Sequence, residues 1–177
     1  FCLLPPVSPL SSPMLVLGFD PGSRITGFGV VRRVTPADVR LVDAGVIRLD
    51  PSADLAARLV ELRRETDDLL SQTAPDAVAL EALFAHPEHP SAALVMAHAR
   101  GVILERGRAR VGDVLELPPA EVKKSLTGSG RASKDQVARA VAAAMSLAAP
   151  PEPADVSDAL AVAWVAAGRL EPPRAPA

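Results

Sequence analysis

The feature that most constrains the fold is a short apolar run, Met14 to Asp20, which ends in an acid. The turn-forming sequence Pro21-Gly22-Ser23 follows it directly. An unbroken apolar run of this length, closed by a turn signal, is typical of a buried β-strand. A second run, Ala77 to Leu80, has the same character and also leads into an acid, Glu81. Short buried strands that alternate with helical periods indicate an α/β fold.

The rest of the chain supplies the other elements of such a fold. Loose alternation and small residues predict strands at 25–34 and 39–49, and Gly27 and Gly29 would allow close backbone approach. A fifth strand is predicted at 114–117. Apolar residues at helical spacing predict helices at 54–70, 91–108, 120–126, 134–148 and 154–167. The order predicts a mixed five-stranded sheet with helices on both faces, in which the first three strands form an antiparallel meander.

The length of 177 residues suits one domain, which we place at residues 14–168. We expect residues 1–13 to be a disordered extension, because they carry four prolines and lack the positive start of a signal peptide. Residues 169–177 are Pro-rich, and we expect a flexible tail there. The single cysteine excludes a disulfide framework and a cysteine zinc site, which fits a reducing, cytoplasmic location.

Four acids occupy unusual positions, although Asp20 alone would be an ordinary turn residue and Asp155 alone could face the dipole at a helix N-terminus. Asp20 and Glu81 end buried strands, and Asp155 and Asp158 stand three residues apart in an otherwise small and apolar stretch. That spacing puts both aspartates on one face of a helix. An ionised carboxylate against apolar packing is unfavourable unless it is paired or binds a cation. No lysine or arginine lies near Asp155 and Asp158 in the sequence.

If the two strand ends are neighbours and the helix packs beside them, four carboxylates meet. Like charges at that range require counter-cations, and oxygen-only ligands suit Mg²⁺ or Mn²⁺. Two such ions, roughly 3.5–4 Å apart, would clamp the attacking and leaving oxygens of a phosphoryl displacement. The pattern therefore predicts a metal-dependent nuclease with two ions per active site.

Positive charge is concentrated in one part of the chain. Residues 100–139 contain nine lysines and arginines against five acids, although the whole chain has a net charge of −2. A basic region beside a carboxylate cluster suits a surface that follows a phosphate backbone. A solvated face is the simpler interpretation of the charge alone. From this region we take as candidate DNA contacts Arg100, Lys123, Lys124, Arg131 and Lys134.

These stretches resemble a known family. LGFDPGSRITGFGV (17–30) resembles the opening motif of the RuvC Holliday-junction resolvases, and LEALF (80–84) resembles the second acidic strand of that family. AHARG (97–101), VKKSLTGSGRASKDQV (122–137) and DVSDALA (155–161) resemble its next helix, its basic loop with the helix that follows, and its last acidic helix. The resemblance covers roughly residues 14–168, in order.

The resemblance implies a ribonuclease H-like fold and a homodimer that makes paired, symmetric nicks across a four-way DNA junction in recombination and repair. The cuts would leave 5′-phosphate and 3′-hydroxyl ends, and a branch-migration motor would be a further partner. By the same resemblance, the four acids are the metal ligands. Lys123 and Lys134 would contact DNA or assist catalysis, and Phe84 would stack on bases near the crossover. After Phe84 the family usually continues with Lys-Asn, whereas this chain has AHPEHP at 85–90.

Several alternatives stay open from the sequence. His86, Glu88 and His89 could suggest a zinc site, but the neighbouring prolines prevent the helix that such a motif needs. An actin-like ATPase would need two lobes, for which the chain is too short. A related nuclease acting on RNA and a non-catalytic junction-binding module are the remaining functions. The small residues of the 91–108 helix could form the dimer interface or only pack in the core. They are Ala92, Val95, Met96, Ala99, Val102 and Ile103.

Overall fold

The computed structural model describes residues 13–82 and 90–170, and it gives side chains for all of these except residues 90–92. Three predictions therefore lie outside the described residues: the disorder of nearly all of residues 1–13, the role of Phe84, and the nature of the loop at 85–89. The same holds for the predicted tail beyond residue 170.

The described residues form a mixed five-stranded sheet with helices on both faces, as predicted. The strands are β1 (Met14–Asp20), β2 (Ile25–Thr35), β3 (Asp38–Arg48), β4 (Ala77–Glu81) and β5 (Val114–Leu117). The helices are α1 (Leu55–Thr73), α2 (Pro90–Val111), α3 (Pro119–Thr127), α4 (Lys134–Ala144) and α5 (Ala154–Arg169). The strand order is β3-β2-β1-β4-β5. The first three strands form the predicted antiparallel meander, and β4 and β5 run parallel to β1.

Several helix ends differ from the sequence prediction: α1 and α2 each run three residues further, to Thr73 and Val111, and the ends of α4 and α5 also differ. Helix α4 ends at Ala144 rather than at residue 148, because Ser146 adopts a left-handed conformation with φ 54°. This turn directs Leu147 back onto the core, which is a tertiary preference that helical periodicity does not contain. Helix α5 continues to Arg169, so the expected flexible tail cannot begin at residue 169. The Arg33 side chain donates to the carbonyls of Ala167 and Leu170 and caps this helix end.

Alternation along the central strand β1 separates two layers of core. Leu17 and Phe19 pack on the face covered by α1 and α2. Met14 and Val16 point to the opposite face, where α5 lies on the sheet and α3 and α4 pack against it. Since successive side chains of a strand alternate between faces, Gly18 and Asp20 also belong to the α5 face. The period of the strand thus directs its terminal acid towards α5.

Helix α5 lies unusually close to the sheet because β1 and β2 present glycines to it. A Cβ on Gly18 would lie 2.6 Å from the Ala163 nitrogen, and a Cβ on Gly29 would lie 2.7 Å from the Leu160 side chain. The predicted role of Gly29 in close approach is confirmed. Among the described residues, no helix is both long and apolar enough to cross a membrane.

Candidate active site

Asp20 and Glu81 are neighbours because they end adjacent parallel strands in matching register. Phe19 pairs with Leu80, so the two acids that follow stand side by side at the carboxyl ends of β1 and β4. Ala77 and Ala79 pack on the α5 face, and the alternation of β4 therefore puts Glu81 on that face too. The two carboxyl groups are close enough that the charge of Glu81 raises the pKa of Asp20. Strand pairing, rather than sequence proximity, creates this pair.

Helix α5 brings the other two acids to the same end of the sheet. Its first turn contains Asp155, and Asp158 follows one turn later. A Cβ on Gly27 would overlap the Asp155 carbonyl, so a glycine at this position is what allows the helix to begin here. Gly27 is the register partner of Asp20. The start of α5 is thereby fixed directly beside the end of β1.

The charges of these acids interact strongly. Burial is the main cause that raises the pKa of Asp20, to about 7, and the carboxylates of Glu81 and Asp158 contribute to the same shift. Burial also raises the pKa of Glu81, again with the help of Asp158, while the ammonium groups of Lys123 and Lys134 act in the opposite direction. The site is therefore one in which negative charge is held unfavourably, and it favours a proton or a cation between the carboxylates.

Lys134 is the positive group that touches the cluster. Its Nζ lies 3.1 Å from Asp158 Oδ2, and this hydrogen bond is the main reason that the Lys134 pKa is raised. The lysine is the first residue of α4, where Ser133 and Gln136 form a reciprocal capping box. The cap fixes the start of α4 and so fixes the stem of Lys134. The counter-charge that is missing from the sequence around Asp158 thus comes from another helix.

The four acids lie at the same end of the sheet, but their carboxylates do not surround a single point. Within residues 13–82 and 90–170, no three His, Cys, Asp or Glu side chains are arranged closely enough to form a ready-made metal site. Asp158 is held by Lys134 instead of turning towards the other acids. The expectation that four carboxylates meet therefore holds for their position in the fold, whereas their side-chain oxygens do not converge.

The candidate DNA contacts differ in their exposure and in whether they are already paired with an acid. Lys124 on α3 and Arg131 in the loop before α4 are exposed, and Lys123 is half-buried. Arg100 is different, since its side chain is only 15% exposed and pairs with Glu116 of β5. Phe84, the remaining candidate, lies outside the described residues.

A small cleft of about 170 Å³ opens beside the acids. Arg100 reaches it from α2, and its Nε donates a long hydrogen bond of 3.4 Å to the Glu81 carbonyl. Sequence reasoning did not assign Glu116 to the site. The sequence feature that could have indicated it is the position of Glu116 inside the short apolar strand 114–117, where a charged group needs a partner. The lining residues of the cleft are Asp20, Pro21, Glu81, Ala82, Met96, Arg100 and Pro119.

The apolar stripe predicted on α2 is only partly used by the core. Ala99 and Ile103 are buried in the core between α2 and the sheet, whereas Val95, Met96 and Val102 are only partly buried. The use of this stripe as a dimer interface stays a prediction. The side chains that α2 leaves exposed include Leu94, at 65%, and His98.

Comparisons with known proteins agree on one family. The family model described as crossover junction endodeoxyribonuclease RuvC matches residues 16–166. A protein of that name from Sorangium cellulosum is 48% identical over 151 residues, which cover 85% of this chain and 82% of the relative. One from Chlorobium phaeovibrioides is 41% identical and covers 85% and 79%. The solved structure of T. thermophilus RuvC in complex with a Holliday junction substrate is similar, with a TM-score of 0.78, 30% identity, and coverage of 85% and 91%. The ribonuclease H-like fold expected from the resemblance is confirmed by this match.

Proposed function

The chain belongs to the crossover junction endodeoxyribonuclease RuvC family, and from this premise we propose that it cuts four-way junctions with Asp20, Glu81, Asp155 and Asp158. The enzyme class follows from the family: a hydrolase that cleaves DNA internally at crossover junctions. The observation that supports the assignment of residues is the meeting of two strand ends and one helix start on a single face of the sheet. The T. thermophilus relative binds a Holliday junction, and we propose the same substrate here.

The donor set suits divalent metal ions. All four groups are carboxylates, which are the ligands that Mg²⁺ and Mn²⁺ prefer. Burial and mutual repulsion raise the pKa of Asp20 and Glu81, so a cation bound between these carboxylates would offset both effects. We propose two ions per site. Binding would require Asp158 to turn from Lys134 towards the other acids, a rotation that a side chain 22% exposed has room to make.

Bound divalent ions would activate the attacking water and offset the charge that develops at the scissile phosphate. The residues of the chain position the acids and contact the phosphates. Asp20 and Glu81 hold their positions because strand pairing fixes their backbone. Lys134 keeps Asp158 at the site and, once released, offers its ammonium group to a phosphate oxygen. Lys123, which already acts on the charge of Glu81, would meet the phosphate backbone from α3.

The exposed cations around the site would hold the DNA. Lys124 and Arg131 flank the site on α3 and on the loop before α4, and neither has an acidic partner among the contacts of the described residues. Contacts of this kind neutralise phosphates and position the duplex without reading its sequence. We retain base stacking by Phe84 as a prediction from the family resemblance.

Two further partners also remain proposals. A homodimer would account for two symmetric nicks in one junction, since each copy would carry one set of acids. The candidate interface is the part of the α2 stripe that the core leaves partly exposed, at Val95, Met96 and Val102. Sedimentation at several protein concentrations tests this. A branch-migration motor and a cytoplasmic location remain predictions from the resemblance and from the single cysteine, respectively.

The test is one cleavage assay with three substrates. Purified protein is incubated with a four-way junction, a duplex of the same sequence and an RNA–DNA hybrid, with Mg²⁺ or Mn²⁺. We expect paired nicks in the junction with either ion and none in EDTA. Preferred cleavage of the hybrid would indicate the RNA-directed alternative. Tight junction binding without cleavage in either ion would indicate a binding module and would overturn the proposed role of the acids.

A further inference from the structure

Helix α2 carries a group at the back of the active site that the proposed chemistry does not use. Arg100 is engaged on two sides, since its Nε faces the Glu81 carbonyl at 3.4 Å and its Nη2 pairs with the Glu116 carboxylate. Leu80 and Glu116 are register partners in β4 and β5. The guanidinium therefore ties together the ends of two neighbouring strands, and one of these ends carries Glu81.

The position of Arg100 follows from how α2 packs on the sheet. A Cβ on Gly107 would lie 3.1 Å from Val114 and 3.2 Å from Val78, so α2 touches the sheet closely at this glycine. From Gly107 back to Arg100, the helix rises about 10 Å. From Val78 forward to Glu81, the strand also advances about 10 Å. The helix and the strand run in opposite directions, and these two distances are equal. Because α2 contacts the sheet at Gly107, Arg100 therefore lies beside the end of β4.

We propose that Arg100 is a positioning residue of the nuclease, which anchors the end of β4 and thereby sets the orientation of Glu81. The end of β4 needs such an anchor because little strand pairing follows Glu81 among the described residues. Glu81 is the last residue of β4. Within the part of the chain that the structure describes, the strand pairing continues beyond it only through the Ala82 nitrogen, which donates to the Leu117 carbonyl. A bidentate guanidinium suits the role, because its planar fork can hold a carbonyl and a carboxylate in one fixed geometry.

The alternative is that Arg100 contacts a DNA phosphate. Its burial argues against this, since only 15% of the side chain is exposed and a carboxylate already neutralises it. Arg100 contacts the backbone carbonyl of Glu81, and it therefore acts through the backbone of β4. A phosphate contact predicts weaker junction binding when the residue is removed, whereas a positioning residue predicts slower cleavage of junctions that are bound normally.

The experiment compares Arg100→Met with Arg108→Met in the full-length chain. Arg108 is the matched control, because it lies on the same helix and pairs with Asp113, but the pair is exposed (67% and 97%). We measure single-turnover cleavage with saturating enzyme, its dependence on Mn²⁺ concentration, and the Kd for the junction in EDTA over a range of salt. We expect Arg100→Met to cleave about ten-fold to a hundred-fold more slowly and to need more Mn²⁺, as for other residues that orient ligands. Its Kd and its salt dependence should match those of the Arg108→Met control.

Glu116→Gln provides a second variant that leaves Arg100 in place. We expect it to lose activity in the same way but less, because the carbonyl contact of Arg100 persists. Thermal unfolding confirms that each variant is folded. A weaker Kd and a smaller salt slope for Arg100→Met would identify a phosphate contact and overturn the proposal. Cleavage by Arg100→Met at the wild-type rate would overturn it as well.

This inference rests on the proposed role of Glu81, and Glu81→Gln separates the two. If Glu81→Gln is inactive while Arg100→Met is fully active, only the positioning role fails. If Glu81→Gln cleaves normally, the assignment of the active site fails first.

Discussion

Lys134 Nζ lies 3.1 Å from Asp158 Oδ2, and this contact joins the first residue of α4 to the second of the two aspartates on α5. It is the one ion pair of the described residues in which a member of the acidic cluster takes part. A metal ion shared by all four acids would have to compete with Lys134 for the Asp158 carboxylate. Replacement of Lys134 therefore tests how this ion pair affects the acidic cluster.

Replacement of this lysine should affect catalysis more than stability. Lys134 is 70% exposed, so the pair contributes no more than about 1 kcal/mol to the free energy of unfolding. Loss of its charge removes a group that lowers the pKa of both Asp20 and Glu81. We expect Lys134→Met to cleave more slowly and to reach its maximal rate at higher pH. Single-turnover rates from neutral to alkaline pH check this, with Lys134→Arg expected to recover part of the loss. A pH profile unchanged in Lys134→Met would contradict the prediction.

Metal binding should be visible without any substrate. A ligand that binds only the folded state raises its melting temperature in a concentration-dependent way. We expect Mg²⁺ or Mn²⁺ to raise the melting temperature of the wild-type protein and to have little effect on Asp20→Asn, which should bind junctions but not cleave them. Thermal unfolding with increasing Mn²⁺ provides the measurement, and Ca²⁺ serves as a comparison ion. Equal stabilisation of both proteins would place the ions elsewhere.

The stability of the metal-free protein should fall as pH rises. Asp20 in the folded chain keeps its proton up to about pH 7, whereas its ordinary value is 3.8. Between these values the folded state binds more protons than the unfolded state, so each step up in pH favours unfolding until the folded group has also ionised. The effect is at most about 4 kcal/mol and is complete above pH 7. Denaturant unfolding in EDTA from pH 4 to 8 should show the decline for the wild type and a flatter curve for Asp20→Asn. A wild-type stability that rises over this range would refute it.

The close approach of α5 to β2 should tolerate no side chain at residue 27. A Cβ there would overlap the Asp155 carbonyl and push the start of α5 away from Asp20. We expect Gly27→Ala to lose about 1–3 kcal/mol of stability and to lose cleavage as well. Gly168→Ala, on α5 itself, is the control, since a Cβ there meets nothing within 4 Å. It should be neutral or gain up to about 1 kcal/mol. Equal effects of the two substitutions in chemical denaturation would show that contact with Asp155 is not the cause.

The local sequence determined most of the elements and the identity of the acids. Apolar runs closed by turns gave β1, β4 and β5 with nearly correct ends, because burial of a short strand is encoded residue by residue. Asp20 and Glu81 stood out for the same reason, since an acid at the end of such a run is unfavourable without a partner. The helix spacing of Asp155 and Asp158 is likewise local. The end of α4 was not predictable, because the packing of Leu147 on the core overrides an alanine-rich period.

Only the tertiary structure decided which groups meet. The match of Phe19 with Leu80 puts two acids side by side, and the missing side chain of Gly27 lets a distant helix begin beside them. Lys134 and Arg100 both came from the sequence as candidate DNA contacts. In the fold, one pairs with Asp158 and the other with Glu116 and the Glu81 carbonyl. Such pairings depend on register and helix packing between residues far apart in the chain, and one-dimensional periodicity carries no information on either.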